Sequence, residues 1–124
     1  MKKMLIGAAL LALAPAIAAA ADMSGAWKID GAFDAMGINY TVTCKLAEGA
    51  GGALAGPCTG SQGEAIKATG KVSPDGKTVE LAYDTTYNGG PVHLDYTGAV
   101  QPDGSLKGAV DAGAAQGTFT ATRQ

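Results

Sequence analysis

The stretch "VELAYDTTYNGGPVHLDYTGAV", residues 79–100, decides the fold. Val79, Leu81, Tyr83, Thr85 and Tyr87 share one parity, and Glu80 and Asp84 lie on the other. After a break, Val92, Leu94, Tyr96, Gly98 and Val100 alternate in the same way with His93, Asp95 and Thr97. A period of two marks a strand with one buried and one wet face. The break, Asn88-Gly89-Gly90-Pro91, carries the residues a tight hairpin turn selects, because its central positions need positive φ. The stretch therefore reads as two antiparallel strands sharing one apolar face.

The same signals extend in both directions. Trp27, Ile29, Gly31 and Phe33 alternate, as do Ile38, Tyr40, Val42, Cys44 and Leu46, and no segment after residue 21 has a helical period. Two copies of G-x-V-x-P-D-G, at 70–76 and 98–104, place Pro, Asp and Gly as a tight turn requires. These signals predict strands near 24–33, 37–47, 53–60, 64–73, 77–87, 91–101, 105–112 and 116–124. Links this short join only antiparallel neighbours. The expected fold is all-β, an eight-stranded antiparallel up-and-down meander that ends either as a flattened sandwich or as a closed barrel. Closure removes both exposed edges, which favours the barrel.

Residues 1–21 read as a signal peptide. Lys2 and Lys3 form a charged head, residues 4–14 an apolar run, and Ala19-Ala20-Ala21 a small-residue cleavage site. The apolar run is short for a membrane span, so no stable membrane insertion is expected after cleavage. The remaining 22–124 suits a single domain in the periplasm or outside the cell. The chain has 9 basic and 11 acidic residues, and removing Lys2 and Lys3 leaves seven against eleven. That balance, with scattered lysines, argues against a nucleic-acid partner, which needs a basic stripe. Cys44 and Cys58 are the two cysteines, and an exported chain of this size uses such a pair as a disulfide. Folding "YTVTCKLAEGAGGALAGPCTG" as a hairpin sets them opposite each other. The bond would close a loop of about 15 residues, stabilising by about 3 kcal/mol.

Trp27 is the only tryptophan and sits at the start of the first strand, while Phe119, Ala121 and Arg123 share a parity at the end of the last. In a closed barrel these strands pair, and Arg123 is then expected over the Trp27 indole, a contact worth about 0.5–2 kcal/mol. "SGAW" at 24–27, together with Arg123, resembles the first-strand G-x-W and last-strand basic residue of the calycin superfamily, which includes lipocalins, avidins and bacterial metalloprotease inhibitors. The chain after residue 21, opening "DMSGAW" and closing "GTFTATR", also resembles small exported alphaproteobacterial proteins of unknown function. The resemblance implies structural roles for Trp27 and Arg123. The sequence departs from avidins in lacking further tryptophans, and from typical lipocalins in being shorter and without an evident helix.

An eight-stranded barrel either fills with side chains or holds one small ligand. Glycines and alanines on the inward parity open space in one reading and mark barrel corners in the other. In the first, Tyr40, Tyr83, Tyr87, Tyr96 and Phe119 line a site for a small apolar or aromatic molecule. Catalysis finds little support. His93 is a lone outward histidine without a neighbouring nucleophile, and Gly76-Lys77-Thr78 lacks the rest of a phosphate loop. Asp84 and Asp95, near each other across the hairpin, read as a solvated pair. No metal site or cofactor is expected. The leading expectation is a non-catalytic exported binding protein. The alternatives are a protein-binding module such as a protease inhibitor, or an envelope protein without a ligand. The inhibitor reading is weakened because such inhibitors insert an N-terminal trunk, and only Asp22 and Met23 precede the expected barrel.

Overall fold

The computed structural model describes residues 22–124, so the expected signal segment lies outside the described residues. The strands are β1 (Gly25–Phe33), β2 (Ile38–Glu48), β3 (Ala53–Thr59), β4 (Ala65–Val72), β5 (Thr78–Tyr87), β6 (Gly90–Val100), β7 (Leu106–Asp111) and β8 (Gln116–Arg123). They form a closed antiparallel barrel in sequence order. Of the two endings left open by the sequence, the barrel is the one adopted. The β8–β1 ladder that closes it runs from Trp27 opposite Arg123 to Ala32 opposite Thr118.

Turn chemistry explains the boundaries. Asn88 (φ 51°) and Gly89 (φ 80°) form the two-residue turn between β5 and β6, whose twist matches that of the flanking strands. In the repeated Pro-Asp-Gly turns, Asp75 accepts from Ser73 Oγ at 2.6 Å and Lys77 N at 3.0 Å, and Asp103 accepts from Ser105 N at 2.9 Å and Ser105 Oγ at 2.6 Å. These bonds hold both carboxyls below the usual carboxylate range, the Ser73 and Ser105 hydroxyls contributing most. Cys44 and Cys58 face each other across β2 and β3, with Cα atoms 4.0 Å apart, and are joined in a disulfide inside the barrel.

The ladders are unequal. The β5–β6 ladder extends to Tyr87 opposite Gly90, but β4 pairs with β5 only from Thr69–Ala82 to Val72–Val79. The β6–β7 ladder stops at Asp95 opposite Asp111. The tip of the β5–β6 hairpin therefore leaves the wall as a two-stranded ribbon. Pro91, which has no N–H to donate, sits on this ribbon opposite Thr86, where β7 does not reach.

The barrel has two distinct ends. One carries Trp27, the chain's entry and exit, and the turns at 49–52, 73–77 and 101–105; it is called the tryptophan end below. The far end carries the turns at 34–37, 60–64, 88–89 and 112–115.

Candidate functional site

At the tryptophan end the chain closes over its own core. Trp27 is 1% exposed, and its Nε1 donates to Met23 O at 2.9 Å. Arg123 Cζ lies 4.5 Å from the centre of the indole ring. The guanidinium also donates through Nη1 to Ser24 O at 2.7 Å and through Nη2 to Asp22 O at 3.0 Å. Glu48 completes the closure, accepting from Met23 N at 2.7 Å and donating its own N–H to Ser24 Oγ at 2.9 Å. Gly25, at φ 129°, bends residues 22–24 over the barrel, and a Cβ there would press on Arg123 Nη1. The glycine of "SGAW" is thus tied to Arg123 on β8.

The middle of the barrel is filled. Among the core side chains, including Trp27, Ile29, Leu54, Leu81, Tyr96 and Phe119, a void of about 20 Å³ remains. That is about the space of one water, and its lining is apolar. The small inward residues leave little free space among these side chains. A Cβ on Gly31 would run into the Tyr40 ring, and one on Gly98 would lie 2.8 Å from Phe119 Cζ. A Cβ on Gly56, Gly70, Gly108 or Gly117 would collide with the backbone of the neighbouring strand. The space that the glycines vacate is taken by aromatic rings and close strand approach.

Of the expected ligand-binding residues, four come together. Tyr96 Oη lies 2.7 Å from Tyr40 Oη and 2.6 Å from Tyr83 Oη, and the Tyr96 ring meets Phe119 edge-on with centroids 5.0 Å apart. Three hydroxyl protons serve two links, so one proton must point out of the chain. Tyr83 and Tyr96 are buried and Tyr40 only half-buried. Donation from Tyr83 to Tyr96 to Tyr40 leaves the spare proton on the one hydroxyl nearest solvent. Burial pushes all three phenols up, foremost by desolvation, so each stays neutral at ordinary pH.

Tyr87 does not join them. It is 50% exposed at the ribbon tip, because the strands flanking β5 and β6 stop before they enclose it. The alternation continues along β5, but the barrel interior does not. The only other large hydrophobic residue in the described chain that is exposed is Met36, 54% exposed in the turn after β1. The two belong to turns that are opposite in the circuit of strands, both at the far end. Ile38, Tyr40, Val92, Ala112 and Ala115 are partly buried against the core, and each lies on or near a far-end turn. The sequence reading missed Met36; a long apolar side chain in the turn Asp34-Ala35-Met36-Gly37 was the available signal.

Two further features lie on the outer wall. On the ribbon, His93 Nδ1 is 2.7 Å from Asp84 Oδ1 and Nε2 is 3.2 Å from Asp95 Oδ1, and the bond to Asp84 chiefly holds its pKa above the ordinary histidine value. Across β7, β8, β1 and β2 runs an open groove of about 740 Å³, lined by polar residues such as Asp30, Asn39, Lys107 and Thr120 and also by Ala32 and by two of the expected ligand-binding residues, Tyr40 and Phe119. Among the described residues, no group of three or more His, Cys, Asp and Glu is arranged to hold a metal. No described helix is long and apolar enough to cross a membrane. No family model matches the chain, and no curated protein or solved structure matches it either.

Proposed function

We propose that this chain is a non-catalytic binding protein of calycin-like type, exported to the periplasm or beyond, that takes a small apolar or aromatic molecule at the far end of its barrel. The observation that carries the reading is the location of both exposed large hydrophobics, Met36 and Tyr87, on that end, above partly buried Ile38, Tyr40 and Val92. The surface of a soluble protein carries isolated apolar residues routinely, but here both large ones lie at the same end, each beside partly buried apolar residues, as a recognition surface would have them. The small void in the middle of the barrel supports a site at its rim over one in the barrel cavity expected from sequence. Tyr40 supplies one polar handle there through its spare hydroxyl proton.

Export is supported by the signal-like residues 1–21 and by the disulfide, which persists in oxidising compartments. The non-catalytic reading is supported by the chemistry present: neutral buried phenols and an exposed histidine with only carboxylate partners. The packed interior favours a second reading, a protein-binding module, because a protein partner needs no chamber.

Native mass spectrometry of the protein recovered from the exporting cells tests the proposal, beside a denatured control and a Met36→Ser/Tyr87→Ser variant. The expected result is an extra small-molecule mass that is lost on denaturation and absent from the variant. A bare mass for wild type and variant alike counts against a carried ligand. The same extra mass on both would place the molecule away from Met36 and Tyr87.

A further inference from the structure

The open groove of about 740 Å³ on the outer wall is separate from the far-end surface, and neither Met36 nor Tyr87 lines it. Strand register brings its side chains together. Lys107, Thr120, Asp30 and Thr41 stand opposite one another in turn across β7, β8, β1 and β2. Thr118, Ala32 and Asn39 form the adjacent row on β8, β1 and β2. Neighbouring strands lie about 4.8 Å apart, so the first row presents polar groups at that interval over about 14 Å. Threonine is ordinary on an outer strand face, but the relief of this wall is not explained by strand propensity. Ala32 is the short side chain between Thr118 and Asn39, with Asp30 and Lys107 in the row beside it, and this leaves a depression with polar walls.

The hydrogen-bonding capacity of those walls is largely unspent. Thr41 Oγ1 donates to Asp30 Oδ1 at 2.7 Å and so orients the carboxylate. Lys28 Nζ, 3.9 Å from Asp30 Oδ2, is too far to hydrogen-bond, which leaves Oδ2 able to accept. The side chains of Asn39, Thr118, Thr120 and Lys107 make no hydrogen bond to another described residue. Asn39 offers donors and an acceptor, and each threonine offers both. Asp30 and Lys107 are the two charged residues of the lining, and their charges cancel. Ala32, Tyr40 and Phe119 add carbon surface between the polar groups.

We infer that this groove is a second binding site, and that it takes a short uncharged saccharide. A sugar ring carries a rim of hydroxyls that both donate and accept, and C–H faces that suit the carbon surface between the polar side chains. Its hydroxyls can donate to Asp30 Oδ2 and accept from the Asn39 amide, with Thr118 and Thr120 beside them. A hydrocarbon would strip water from these side chains without replacing its hydrogen bonds. A ligand with a net charge gains nothing from a lining whose charges cancel. Asp30, Asn39, Thr118 and Thr120 all lie on strands of the closed barrel, so binding has no loop to order.

Amide NMR titration of the folded protein with cellotriose, maltotriose and chitotriose tests the site. At least one of the three is expected to shift the amides of Asp30, Ala32, Asn39, Thr118 and Thr120 together. Asp30→Asn/Asn39→Ala should weaken that binding about tenfold, and Thr120→Val about threefold, as lost hydrogen bonds of these kinds allow. These positions are exposed, so urea melts of the variants should match wild type. Met36→Ser/Tyr87→Ser should bind the sugar as wild type does. Shifts confined to the far-end turns, or full affinity in Asp30→Asn/Asn39→Ala, would overturn the inference and leave the apolar far-end site standing. No shift with any of the three sugars would also overturn it. Tighter binding of the cationic chitosan trimer than of chitotriose at about 0.15 M salt would overturn the uncharged ligand class.

Discussion

The two ends of this barrel are built from similar short turns, yet they are finished in opposite ways. At the tryptophan end, Arg123, Glu48 and the backbone of residues 22–24 satisfy one another and press the indole to 1% exposure. At the far end the chain supplies no such cover, and Met36 and Tyr87 face solvent. A barrel this small needs one sealed end to hold its core dry. The other end is where the proposed recognition surface would cost the fold least.

The largest expected effect comes from breaking the sealed end. Trp27→Ala removes the side chain on which the closure rests and should lower unfolding free energy by about 3–5 kcal/mol in urea melts. Tyr87→Ala, at the far end, should change the same melts by less than about 0.5 kcal/mol. Equal losses at the two positions would break the contrast between the ends. Next in size is the disulfide between them. The Cys44→Ala/Cys58→Ala variant should lose about 3 kcal/mol, somewhat more if a cavity remains where the sulfurs packed.

The tyrosine chain sharpens the comparison at the next level. Tyr96→Phe strips the only partner from the buried Tyr83 hydroxyl and should cost about 1–3 kcal/mol. Tyr40→Phe removes the hydroxyl closest to solvent, and its loss should be the smaller of the two. The reverse order would show that the proton chain does not run outward toward the far end.

The smallest effect belongs to His93, which is exposed on the ribbon. Its folded pKa is raised above the ordinary value of 6.5, so its bonds to Asp84 and Asp95 add stability that is fully present only below the unfolded value and is lost as pH rises through the folded one. Thermal melts of wild type against His93→Gln should accordingly differ at pH 5.5 and converge at pH values well above 6.5. A wild-type advantage that grows with pH would contradict the ion-pair geometry.

Much of this architecture was legible in the sequence because its signals are local. Alternation named the buried faces, Asn88-Gly89 and the paired Pro-Asp-Gly turns set the boundaries, and the parity of β1 and β8 brought Arg123 to Trp27 once the barrel closed. What the sequence did not reveal depends on register between strands far apart in the chain. Gly31 looks empty until Tyr40 is known to lie across it, and Gly98 looks empty until Phe119 is seen reaching it from opposite Gly108. Tyr87 keeps the inward parity of Tyr83, but its position is decided by where β4 and β7 stop pairing, which the β5–β6 sequence does not encode. Four of the five aromatic residues named from the sequence therefore come together, and Tyr87 lies apart from them at the ribbon tip.

The most direct test of a filled barrel with recognition at its far end is a methyl NMR titration of the folded protein with decyl glucoside. Shift changes are expected at Met36, Ile38 and Val92, with Ile29, Leu54 and Leu81 unmoved. Changes centred on Ile29, Leu54 and Leu81 would mean that the ligand enters the core, and would contradict the account.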